Sequence, residues 1–99
     1  MTIQNEPSIK LEKPIVNIDA VTSIFGITGH KIVSDAVRLE KPLATVQAFI
    51  DVLYWWLDYL DCYYQRYDHH VPAQMNAEAE KNLVRGVNLA GELGWMLHG

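Results

Sequence analysis

The chain has 99 residues, 49% of them hydrophobic, and its 12 acidic against 8 basic side chains give a net charge of −4. That length supports one domain with a thin core, hiding roughly 60–70% of the surface its unfolded form exposes. The apolar content excludes a wholly disordered chain, and the acidic balance excludes broad adhesion to phosphate backbones.

The charge is unevenly placed. Residues 1–41 balance acidic and basic side chains, whereas residues 42–72 set Asp51, Asp58, Asp61 and Asp68 against Arg66 alone. No apolar run reaches the ~18 residues a membrane-crossing helix needs. The start, Met1 to Pro7, has neither a basic opening nor an apolar stretch, so no signal peptide is expected. A single cysteine, Cys62, cannot staple the chain internally. These features together predict a cytoplasmic protein.

In chain order, residues 1–16 are expected to form a flexible or extended arm, with residues 17–99 as one helical domain. Ile9 and Leu11 alternate, which allows a short strand. From Asn17 the pattern turns helical: Ile18, Val21, Ile24 and Phe25 recur at helical spacing, with Asn17 or Asp19 as caps and Gly26 as the stop. Ile27-Thr28-Gly29 reads as a turn. A second short helix follows from Ser34 to Leu39, with His30 to Val33 as a possible extension, and Pro42 breaks it.

Pro42 to about His70 is predicted as one long helix ending at Val71-Pro72. Its apolar positions follow the i, i+3, i+4, i+7 rule over about half the circumference, with Asp51, Asp58, Asp61 and Gln65 opposite. Seven of the fourteen residues from Tyr54 to Tyr67 are aromatic. The last helix is expected to start with Asn76 as its cap. Its inward stripe is Ala79, Leu83, Gly86, Val87, Ala90, Gly94 and Leu97, and the small residues Gly86, Ala90 and Gly94 form a ridge that admits the bulky rings of the long helix.

The fold class is therefore all-α: an extended N-terminal arm, two short helices, and a hairpin of a long aromatic-rich helix on a Gly/Ala-ridged one. A 29-residue helix is about 40 Å long, more than one partner helix and two short ones can cover. Two hairpins pairing into a four-helix bundle would cover it, so a homodimer is expected.

The residues admit four readings of function. Aromatic side chains with nearby charge suit a protein interface, and Tyr54, Trp55, Tyr59, Tyr63 and Arg66 are the expected partner-binding residues. The segment Val21 to Val33 is similar to the helix–turn–helix pattern of small bacterial regulators: a turn glycine, Gly26, then apolar Ile27 and hydroxyl-bearing Thr28, with Ile32 six after the glycine. That likeness implies DNA reading by His30, Lys31 and Arg38. It departs where a small residue usually stands four before the turn glycine, which is Thr22 here, and Asp35 and Glu40 oppose the basic side chains.

For a metal, Asp58, Cys62, Gln65 and His69 share one stripe, but the stripe runs along the helix axis and cannot converge on one ion. For catalysis, nothing places a base beside Cys62, and the chain carries no Gly-rich phosphate loop or Gly-x-Ser-x-Gly. No metal, no cofactor and no enzymatic activity are expected. A membrane surface is disfavoured by the acidic polar side of the long helix. The expected function is non-enzymatic: a small acidic protein that self-associates and acts by protein–protein interaction, of adaptor, inhibitor, antitoxin or chaperone type. A dimeric helix–turn–helix regulator using residues 18–40 is the alternative.

Overall fold

The computed structural model describes residues 9–95. It is mostly helical, in the order β1 (Leu11–Glu12), α1 (Ile18–Val21), a π-helical segment (Thr22–Thr28), α2 (Gly29–Arg38), α3 (Leu43–Tyr64), β2 (Val71–Pro72) and α4 (Ala73–Glu92). The two strands pair antiparallel, Leu11 opposite Pro72 and Glu12 opposite Val71.

The expected pair of short helices is instead one helical run. Asn17 caps it by accepting the Ala20 N–H at 3.0 Å. No turn interrupts it at Ile27-Thr28-Gly29, because Thr28 and Gly29 both hold right-handed helical angles. The intervening turns are wound wider, with i→i+5 hydrogen bonding. Wider turns keep residues four apart nearly in line, so Val21, Phe25 and Gly29 all face the core. Gly29 allows the close approach there: a Cβ added to it would lie 2.6 Å from Leu53 Cδ1. The run ends at Glu40 in the left-handed region. The Lys41 and Glu40 N–H groups return to the Ala36 and Val37 carbonyls, which satisfies the last turn.

Pro42 then starts α3 as expected, its carbonyl accepting from Thr45 and Val46 at 3.1 Å each. The far end differs. α3 stops at Tyr64, well short of His70. Asp68 draws the chain off the helix: its carboxylate accepts from the Arg66 Nε and from the His70 N–H, both at 3.3 Å. Such local side-chain bonds compete with helix continuation. His69 turns the chain at φ 53°, its ring stacked on Tyr63 at 4.8 Å. Twenty-two residues of helix are about 33 Å long, shorter than the expected ~40 Å, and α4 with 20 residues nearly matches it.

α4 begins at Ala73, not at Asn76. Pro72 presets the first turn, and the Ala73 N–H is taken by the Lys10 carbonyl at 2.8 Å. Asn76 is buried within the helix and does not cap it. At the other end Gly94 lies outside α4 at φ 96°, and the Trp95 N–H returns to the Ala90 carbonyl. Gly94 is thus the terminator of α4, not part of its ridge. Leu97 lies outside the described residues.

Three rods pack around an aromatic core. Phe25, Phe49, Trp56 and Tyr59 are wholly buried. Phe25 stacks on Trp56 at 5.3 Å and wedges against α4 at Gly86, where an added Cβ would meet its ring at 2.5 Å. The small-residue ridge therefore receives a ring, though Phe25 of the first helical run supplies it, with Val52 of α3 alongside. Trp56 reaches α4 through its indole N–H, which donates to the Asn82 carbonyl at 3.3 Å.

Candidate interaction surface

Asn76 shows what holds the arm. Its Oδ1 accepts from the Tyr59 hydroxyl at 2.8 Å and from the Ile15 N–H at 3.2 Å. Its Nδ2 donates to the Lys13 carbonyl at 2.9 Å and to Glu12 Oε1 at 3.1 Å. One side chain thus ties α3 and the arm to α4 with its amide fully used. Burial pushes the Tyr59 phenol up to about 12, against the opposing effect of the nearby Ile15 N–H. The inward stripe from Ala79 to Ala90 extends back by one step to position 76, and that was the signal available in the sequence.

The five expected partner-binding residues do not form one patch. Tyr59 is buried and is corrected to a core residue: its ring stacks on Trp55 and meets Trp56 edge-to-face, and its hydroxyl is bound to Asn76. Trp55 is half-buried, stacked on Tyr59 at 5.5 Å, and borders a shallow depression with Glu78, Asn82 and Arg85 of α4. Tyr63 is half-buried under His69 and lines an open cleft of about 560 Å³ with Tyr64, Lys13 and Asp19. Arg66 is engaged with Asp68 at 3.3 Å. Tyr54 alone stands well clear of the protein, 63% exposed.

Tyr54 lies on a stripe of α3 in which Gln47, Asp51, Asp58, Asp61 and Gln65 are all exposed. Asp51 and Asp61 accept from the amides of Gln47 and Gln65 at 3.0 and 2.8 Å. No cation pairs with Asp51, Asp58 or Asp61 among the described residues. Between this stripe and the first helical run lies an apolar seam. The Thr22–Tyr64 hydroxyl contact at 3.3 Å and the fit of Gly29 against Leu53 set the two antiparallel. Val33, Ile50 and Leu57 are half-buried against the core, while Val37 and Leu43 are exposed.

The residues of the DNA reading are placed differently from its expectation. Lys31 and Arg38 share one carboxylate, Asp35, at 3.1 and 3.3 Å. The hydrogen bonds from Lys31 and then Arg38 hold the Asp35 carboxyl below its ordinary value. His30 is exposed beside them. They lie on one uninterrupted run, so no separate recognition helix is offered to a groove. The metal stripe also breaks up, because His69 leaves the helix to stack on Tyr63. Among the described residues no three His, Cys, Asp or Glu side chains gather as metal ligands, and no helix is long and apolar enough to cross a membrane. No protein-family model, no curated protein and no solved structure matches this chain.

Proposed function

We propose that this chain is a non-enzymatic protein-interaction module that engages its partner along the outward face of α3. The observation that carries this reading is the apolar seam beside Tyr54, left open after three helical rods have closed the core. Exposed apolar area of this kind, contiguous and edged by polar groups, is the usual composition of an interface. Tyrosine adds large contact area at low entropy cost. Self-association is a second form of the same reading. The first helical run already covers one flank of α3, so a second copy would sit on the outward face and not complete a four-helix bundle around the rings.

The test is solution mass by light scattering, with retention of native proteins on the immobilised chain, for the wild type, Tyr54→Asp and Val84→Asp. Both substituted residues are exposed, so folding is preserved. Association lost in Tyr54→Asp and kept in Val84→Asp supports the reading. A monomer that retains nothing beyond what Tyr54→Asp retains refutes it.

A further inference from the structure

We infer that the occupant of this face is a basic amphipathic helix of another protein, its apolar stripe laid along the seam and its Lys or Arg side chains over Asp58 and Asp61. This rests on the protein-interaction reading above. Val33, Ile50 and Leu57 are half-buried against the core, and Tyr54 is exposed beside Ile50 and Leu57 on the same face of α3. From Leu43 to Leu57 the seam runs about 21 Å, enough for some four turns of a bound helix. A helix seated in such a groove is read through anchors at i, i+3, i+4 and i+7.

Charge decides between occupants. Each acidic residue of the rim lies one turn beyond an apolar one: Asp58 follows Tyr54, and Asp61 follows Leu57. Neither has a cation among the described residues. A second copy in a two-fold contact presents the same patch to itself, and wherever the axis passes close to Asp58 and Asp61 it brings these carboxylates against their own kind. A basic helix meets them with opposite charge, gaining orientation and on-rate as the apolar stripe supplies area. Nucleic acid would present phosphates to the same aspartates.

The experiment uses the full chain and two labelled amphipathic peptides that share one leucine stripe, one flanked by Lys and Arg and the other by Glu. Anisotropy is read at low and physiological salt. The expected result is a basic peptide that binds at least about tenfold tighter, with an advantage that shrinks as salt rises. Asp58→Asn with Asp61→Asn should remove most of that advantage with the fold intact by circular dichroism. Equal binding of both peptides, or an advantage untouched by the double substitution, overturns the inference while leaving the protein-interaction reading standing. If neither peptide binds and the chain is a dimer that Tyr54→Asp dissociates, the face belongs to a second copy and the inference falls alone. If neither binds and the chain is a monomer that retains no protein, both fall.

Discussion

Replacing Asn76 with alanine removes four hydrogen bonds at one point, and the consequences can be followed group by group. The Tyr59 hydroxyl stays walled in with no partner, because Tyr59 is wholly buried. Leaving such a donor unsatisfied costs about 1–3 kcal/mol. The Ile15 N–H and the Lys13 carbonyl belong to the arm and can regain water if it loosens, so each lost bond there costs only about 0.5–1.5 kcal/mol. Alanine is the better helix former, which returns up to about 0.7 kcal/mol. The expected net loss is roughly 1–5 kcal/mol, a sizeable share of the ~5–15 kcal/mol that holds a domain. Urea unfolding followed by tryptophan fluorescence measures it as a lower midpoint at unchanged slope. Tyr59→Phe should cost less, about 0.5–1.5 kcal/mol. The double variant should lose less than the sum of the two, since no buried hydroxyl is then left unpaired. An Asn76→Ala protein within about 0.5 kcal/mol of wild type, or strictly additive losses, would refute the reasoning.

Two glycines on one helix should respond with opposite sign. Gly86→Ala drives a methyl into the buried Phe25 ring and should lower stability by about 1–2 kcal/mol after its helix-propensity gain. Gly91→Ala meets nothing within 4 Å and should raise it by about 0.5–1 kcal/mol; thermal melts of both variants check the pair. At high pH, the Tyr59 phenol is raised from 10.0 to about 12 by burial, so its contribution is present below pH 10 and lost as pH rises towards 12. An ultraviolet titration should show a late tyrosinate step that Tyr59→Phe abolishes. At low pH, the lowered Asp35 carboxyl contributes stability above its unfolded value, lost as pH falls through the folded one. Its midpoint by carboxyl-detected NMR should lie below 3.8 and climb in Lys31→Ala or Arg38→Ala; an unmoved midpoint would dismiss the shared ion pair.

Much of the fold was legible along the chain because it depends on local chemistry. Apolar spacing marks α3 and α4, and Pro42 marks the break between rods because its ring forbids the helix it would interrupt. The misreadings share one cause. Gly26 and Gly29 look like a turn, yet glycine also serves where backbone and side chain must pass closely, and Leu53 against Gly29 requires that use. Asn76 looks like a cap, yet its amide is claimed by an arm some sixty residues away in sequence. The candidate surface was legible only in part. A surplus of rings was evident, and helical spacing separates Trp56 from Trp55, but it leaves Tyr59 at the margin of the apolar face, and only its contacts make it core.

The sequence by itself determined that the chain is helical, that its long rod begins near Pro42, and that residues 42–72 carry an acidic balance. Those properties follow from periodicity, proline geometry and charge, each a matter of neighbours within a few positions. Only the tertiary structure decided that Tyr59 is core, that Tyr54 is surface, and that the seam beside it stays open. Those outcomes depend on which flanks of α3 the first helical run and α4 take up, and that is set by contacts such as Phe25 on Gly86 between residues far apart in the chain.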